Sequence, residues 1–250
     1  MVKKVKAALI IIGDEILSGR THDANLNYIA KWLGDLGIIL DEVRVIPDVA
    51  NRIQDTVNEC RAAFDYVLTT GGIGPTHDDI TAENVAAAFG VRFLLNEEAR
   101  KLLEDNMGKG NLTEARLRMA MIPEGATLIK NPVSSAPGFQ LENVFVLAGI
   151  PVVMQSMLLD VEDRVSGGSK ITSKALHVFA GESQFADALE EIEQSFEHLS
   201  IGSYPFYKAG SYGASFVLRS EVASEVDEGL SMLTKRIQQS GIEYFEGEAP

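Results

Sequence analysis

The sequence predicts an α/β protein: a mostly parallel sheet flanked by helices in a three-layer α/β/α arrangement, followed by a small α+β unit. Strand-like and helix-like segments alternate from residue 5 to about residue 165, the signature of a parallel sheet with helices on both sides. The first strand, Val5–Ile12, is a continuous apolar run of the kind a strand buried on both faces shows. After Ser166-Gly167-Gly168-Ser169, a flexible-linker composition, the pattern changes to βαββαβ, the ferredoxin-like order. Two domains are expected, residues 1–168 and 169–250.

The elements follow from local pattern. Leu26, Ile29, Ala30, Leu33 and Leu36 recur at helical spacing over 25–36, and Gly37 ends that helix. Residues 38–46 read as a second strand. Ile53, Val57, Cys60 and Phe64 share one face of a helix over 51–64. A short third strand, 65–70, runs into Gly71-Gly72. Thr81 is expected to cap a helix that reaches Phe89 and stops at Gly90. A helical stretch over about 97–119 follows, then strands near 127–130, 138–141 and 144–147 and a helix over 152–165. In the tail we expect strands at 175–179, 200–205, 215–220 and 242–245, with helices over 183–196 and 223–239.

Composition narrows the function classes. Hydrophobic residues make up 46% and charged residues 23% of 250 positions, ordinary for a packed globular chain and wrong for a disordered one. A net charge of −14 argues against nucleic acid as a partner, since a phosphate backbone needs a basic face. No apolar run approaches the ~20 residues of a membrane helix. The basic-then-apolar start lacks a small-residue cleavage site and reads as a buried strand, not a signal peptide. A single cysteine, Cys60, cannot form an internal disulfide, so a reducing cytoplasmic setting is expected.

Ligands of parallel α/β sheets bind beyond the carboxyl ends of the strands. Three such ends carry unusual residues: Gly13-Asp14-Glu15 after strand one, the run from Thr69 to Thr81 after strand three, and Gly149-Ile150-Pro151 before the helix at 152. Loops at one sheet edge would line a single cleft. Gly71, Gly72 and Gly74 let backbone N–H groups close on an anion, with the next helix N-terminus behind them. Asp78 and Asp79 would repel a bare phosphate, but they suit a Mg²⁺, Mn²⁺ or Co²⁺ ion shared with phosphate oxygens. Asp14 and Glu15 are further candidates for that ion. Thr70, Thr76 and Thr81 can donate hydrogen bonds. The same glycines also suit a tight turn, and the acids a helix N-terminus or a solvated turn. No Lys follows the glycines, which excludes a P-loop.

These motifs resemble the molybdopterin-binding fold family. The likeness rests on Gly13-Asp14-Glu15-Ile16-Leu17-x-Gly19, on Asp23-x-Asn25, and on Thr69-Thr70-Gly71-Gly72-Ile73-Gly74-Pro75-Thr76-x-Asp78-Asp79-x-Thr81. It is nearest to the N-terminal domain of competence-damage-inducible CinA proteins, with MoaB, MogA and the gephyrin E-domain more distant. Asn131 and Ala136-Pro137-Gly138-Phe139 match a further piece, and Gly149-Ile150-Pro151-x-x-Met154 matches another. Within that last piece Ala148 and Val153 replace the family's usual Pro and Glu.

The resemblance implies a phosphate-bearing ligand with a cation in one cleft. It adds Asn25, Gly13, Gly138, Gly149 and Pro151 as ligand contacts. It implies metal-dependent hydrolysis of a nucleoside-diphosphate-linked compound such as ADP-ribose or FAD, with Asp78 and Asp79 at the chemistry. The alternatives are molybdopterin binding or adenylation in cofactor assembly, and a non-catalytic nucleotide-binding module. Relatives of this fold are oligomers, so a dimer or trimer is implied as well. The nicotinamide-mononucleotide amidase domain of many CinA proteins is not expected within these residues.

Overall fold

The structure is a computed structural model that describes residues 4–168, 170–208 and 210–247. It divides into two compact units between residues 168 and 169.

The first unit begins with β1 (Val5–Ile12), whose side chains alternate between two cores. Ala8, Ile10 and Ile12 enter one cluster, and Ala7, Leu9 and Ile11 enter the other. That is why the run is apolar without interruption, and each fully buried Leu or Ile contributes about 1.5–3 kcal/mol. The chain continues through α1 (Asp14–Leu17), α2 (Asn25–Asp35), β2 (Ile38–Ile46), α3 (Ala50–Ala63), β3 (Tyr66–Thr70) and α4 (Thr81–Phe89). Next come β4 (Phe93–Leu95), α5 (Glu97–Met107), α6 (Glu114–Leu117), β5 (Met121–Pro123), β6 (Thr127–Ile129), β7 (Gly138–Leu141), β8 (Val144–Leu147) and α7 (Pro151–Val161).

The main sheet has the order β2-β1-β3-β8-β7-β6. Its first four strands are parallel, while β7 and β6 each run antiparallel to their neighbour. One face packs against Ile53, Val57, Val85 and Leu103 of α3, α4 and α5. The other packs against Ile29 and Leu33 of α2 and Met154, Met157 and Leu158 of α7. This is the expected three-layer arrangement.

The second unit contains β9 (Thr172–Val178), α8 (Ala186–Gln194), β10 (Ser200–Lys208), β11 (Ser211–Ser220), α9 (Ala223–Ser240) and β12 (Tyr244–Glu246). Its antiparallel sheet has the order β10-β11-β9-β12, the ferredoxin-like one. Phe216, Leu218, Leu233 and Ile237 anchor its core. His177 is buried in that sheet, between the Ser215 hydroxyl at 2.7 Å and the Gly247 carbonyl oxygen at 2.9 Å, with its ring stacked on Phe245. Among the described residues no helix is long and apolar enough to cross a membrane.

Several local expectations are corrected. The stretch 97–119 is not one helix: Gly108, at φ +83°, ends α5, and Thr113 restarts the chain as the cap of α6. The last helix of the first unit stops at Val161 and tightens into a 3-10 turn, where the Arg164 guanidinium bonds the Leu128 carbonyl and Asp160. The antiparallel pair β4–β5 was not expected. Thr81 is the first helical residue of α4; the capping position belongs to Ile80. The glycines before residue 169 serve a close approach: Gly168 N–H donates to the Gly37 carbonyl over 3.0 Å, and a side chain at Gly167 would collide with the Leu36 carbonyl.

Candidate functional site

A cavity of about 490 Å³ opens at the carboxyl ends of the parallel strands and is lined from all three anticipated loops. Glu15 and Ile16 come from the first, Thr70 to Pro75 and Asp79 from the second, and Ala148 to Pro151 from the third. Its size is that of a pocket for a small organic ligand.

The glycines are required by the path of the chain. Gly71 has φ +101°, and any side chain there would strike the Ile12 carbonyl oxygen of β1. Gly72 has φ +66°, and a side chain would strike the Thr81 hydroxyl. Gly149 brings the third loop against the second, since a Cβ there would lie 3.2 Å from the Gly71 Cα. Asn25, at the start of α2, closes the junction by donating from Nδ2 to the Gly149 carbonyl oxygen over 2.8 Å. Pro151 opens α7 at the first helical turn, where its missing N–H costs nothing.

The acidic side chains divide. Asp79 Oδ2 accepts from the Thr76 amide at 2.8 Å and from its hydroxyl at 2.5 Å, so this carboxylate cinches its own loop at the cavity wall. Asp78 points outward and is 69% exposed. Glu15 lines the cavity and Asp14 does not. Among the described residues no three His, Cys, Asp or Glu side chains are placed to hold a metal between them. Asp14, Glu15, Asp78 and Asp79 therefore do not form a protein-only cage, because Asp79 is turned to Thr76 and Asp78 to solvent.

A carboxylate that sequence reasoning missed stands among them. Asp48 Oδ2 accepts the Asp14 amide over 2.9 Å, and Oδ1 lies beside Gly72. Burial raises the Asp48 carboxyl above its usual range. The bond from Asp14 N–H opposes that shift, and the charges of Asp14, Glu15 and Asp78 add to it. The available signal was positional: Asp48 follows β2, a fourth parallel strand end on the same edge.

The remaining candidates fall in three places. Asn25, Thr70, Gly74, Gly149 and Pro151 line the cavity. Thr81 is fully buried beside Gly72, outside the lining, and its hydroxyl has no partner among the described residues. Gly13 and Thr76 lie outside the lining too, where Gly13 N–H donates to the Ile46 carbonyl. Gly138 is buried in β7, where a side chain would meet the Val146 carbonyl, so its role is in strand pairing. Asn131, which also lines the cavity, holds the loop above it: its Oδ1 accepts from the Val133 and Ser134 amides, and its Nδ2 donates to the Ala136 carbonyl.

Comparison with known proteins matches residues 8–166 to a family described as "Probable molybdopterin binding domain" and residues 170–246 to "FAD synthase, middle domain". The chain belongs to the molybdopterin-binding domain family. A crystal structure of a Thermoplasma acidophilum CinA protein of unknown function is 33% identical, with a TM-score of 0.61, over 64% of this chain and 98% of that one. A Pyrococcus horikoshii protein is 32% identical over 97% of this chain and 98% of its own length. A CinA-like protein of Kosmotoga olearia is 30% identical over 97% of this chain and 61% of its own. A Caenorhabditis elegans protein named "Probable FAD synthase" is 29% identical over the whole of this chain and 53% of its own. The chain thus spans little more than half of these last two relatives. Within the molybdopterin-binding family the first unit is of the CinA N-terminal type.

Proposed function

We propose that the cleft of the first unit binds a nucleoside-diphosphate-linked compound, such as ADP-ribose or FAD, together with a divalent cation, and hydrolyses its pyrophosphate bond. One observation carries the reading. The cavity joins a glycine loop and a helix N-terminus, which suit phosphate, to the carboxylates of Glu15, Asp23 and Asp79, with Asp48 beside Gly72, and among the described residues no Lys or Arg lines it. An anionic ligand beside those acids needs a cation between them.

The acids fit such an ion. Asp48 and Glu15, with Asp14 and Asp78 near them, can supply the one or two carboxylates that Mg²⁺ takes alongside phosphate oxygens and water. A bound ion would neutralise phosphate charge and lower the pKa of a coordinated water. The chain's own groups do the rest: the Gly71–Gly74 backbone receives the diphosphate, Asp79 and Thr76 hold that loop in shape, and Asn131 holds the loop above it. The name of the worm relative and the family match of the second unit support a flavin- or adenine-nucleotide ligand.

Val153, which lines the cavity where the resembling sequences carry Glu, favours a second reading, nucleotide or molybdopterin binding without turnover. One experiment separates the two. ADP-ribose, FAD and diadenosine diphosphate are incubated with the protein and Mg²⁺, Mn²⁺ or Co²⁺, and products are resolved by chromatography. Metal-dependent release of nucleoside monophosphates, lost in Asp48→Asn, is the expected result. Intact substrate under every metal, with a folded protein, sinks the hydrolase reading.

A further inference from the structure

We propose that a second cavity, beside the cleft, binds a free amino acid with an apolar side chain, its carboxylate on Arg118 and its ammonium on Glu83. The inference goes beyond the nucleotide reading and does not depend on it.

This cavity holds about 300 Å³, the lower end of the range for small-ligand pockets. It shares Ile73, Gly74, Asp79 and Met119 with the cleft. Its remaining walls come from other elements, with Glu83 in the first turn of α4, Phe93 in β4, Met121 in β5 and Phe139 in β7. Where the cleft has no lining base among the described residues, this cavity has one, Arg118.

Arg118 stands on the 3-10 turn before β5 and is exposed. Its Nη1 donates to the Thr76 carbonyl oxygen over 3.4 Å, which leaves most of the five guanidinium N–H donors for a ligand. Glu83 is exposed as well. Among the described residues neither side chain has an ionic partner, and they do not pair with each other. Asp79 is already engaged by the Thr76 amide and hydroxyl, and His77 is a solvent-facing neighbour of Asp78 with 93% of its side chain exposed. Two accessible charges of opposite sign therefore face one cavity.

The charges select the ligand. A phosphate dianion drawn to Arg118 would also meet Asp79 and Glu83, and a simple cation drawn to Glu83 would meet Arg118. A zwitterion satisfies both, and the planar guanidinium fork matches a carboxylate. The rest of the cavity is apolar: Ile73, Ile80, Phe93, Met121 and Phe139 leave room for a hydrocarbon side chain and none of them can bond a hydroxyl or amide. Met119 and Met121 are flexible enough to close on an aliphatic body or to set sulfur at the edge of a ring.

Methyl-labelled methionine spectra of the full chain, recorded without metal or nucleotide, test the site. Met121 lines this cavity and not the cleft, so its methyl resonance, assigned with Met121→Leu, reports where a probe sits. L-phenylalanine is compared with hydrocinnamate, which lacks the ammonium, and phenethylamine, which lacks the carboxylate. L-leucine is compared with isocaproate and isoamylamine in the same way. We expect at least one of the two amino acids to shift Met121 saturably below ~10 mM, and to bind at least ~5-fold tighter than either of its analogues. Arg118→Met should erase the advantage over the amine, and Glu83→Gln the advantage over the acid, each variant being checked for folding by its melting transition. An advantage that survives in a folded variant overturns the role of that residue. Equal binding of an amino acid and both analogues overturns the zwitterion assignment, and no saturable Met121 shift with either amino acid overturns the site. None of these outcomes bears on the nucleotide reading of the cleft.

Discussion

The Asn25 side-chain amide donates to the Gly149 carbonyl oxygen over 2.8 Å, joining two loops that are 124 residues apart in sequence. Through this bond the N-terminus of α2 and the entrance to α7 are held against the Gly71 turn, so all three walls of the cavity are braced by one another. The site is a junction of strand ends, and its parts are expected to fail together.

Gly71→Ala tests that junction. The residue sits at φ +101° with the Ile12 carbonyl oxygen in the path of a side chain. A left-handed position combined with a backbone collision is expected to cost about 1–3 kcal/mol. Thermal melting should fall by at least ~2 °C, and nucleotide binding should be lost with it. A variant that melts and binds like the wild type would remove the argument for a required glycine.

Asp48→Asn is expected to separate stability from activity. The amide keeps an oxygen for the Asp14 N–H and removes one charge from the group of Asp48, Asp14, Glu15 and Asp78. Ionising a carboxyl whose folded pKa lies above its unfolded value weakens the fold. The stability it withholds is fully present below the unfolded value of about 3.8 and is lost as pH rises through the folded pKa. In metal-free buffer the variant should therefore match or exceed the wild-type melting temperature at neutral pH. That margin should shrink as pH falls toward 3.8, and exposure to solvent keeps it small. Metal-dependent turnover should drop. Melting curves across pH that show the reverse order would place Asp48 in a stabilising role.

Asp79→Ala is expected to lower turnover at least ~100-fold, about what removing one charge-stabilising group costs, because it releases the loop that would receive the diphosphate. Thr76→Val keeps the carboxylate and the Thr76 amide bond and removes the hydroxyl, which bonds Asp79 over 2.5 Å and also holds the Asp78 carboxyl below its usual range, so its loss should be far smaller. Equal losses in the two variants would mean that the hydroxyl, not the carboxylate, carries the effect.

Cys60 lies fully buried on α3, and burial raises its thiol above the usual range. Both effects keep the reactive thiolate away from reagents. Ellman's reagent should titrate no thiol in native protein at pH 8 and one per chain in guanidinium. Rapid labelling of the native protein would contradict the packing of α3 against β1.

The parts of this molecule written in one-dimensional patterns were legible. The Val5–Ile12 run declares a strand buried on both faces, and the boundaries of β1, β2, β7 and β8 agree with the sequence reading. Gly90 stops α4 in the left-handed conformation its position called for. Features decided by tertiary direction were not legible. The paired acids suggested a cation shared with phosphate, but their directions could not be read: Asp79 folds back on Thr76, because the loop path aims the side chain. Asp48 carries no glycine motif around it, and it becomes visible only when β2 is placed beside β1. Thr81 has a capping residue's chemistry, but its hydroxyl fills the space over Gly72 instead.

The central claim is that phosphate and cation occupy the cleft together, since Glu15, Asp23 and Asp79 line it and, among the described residues, no Lys or Arg does. It is tested most directly by titrating a non-hydrolysable methylene analogue of ADP-ribose into the protein with Mg²⁺ and again with EDTA. Coupled binding predicts an affinity at least ~10-fold higher with Mg²⁺, and a matching gain in Mg²⁺ affinity when the analogue is present, because linkage is reciprocal. Equal affinity in the two buffers would contradict the claim and leave the cleft as a site that binds its ligand without a metal.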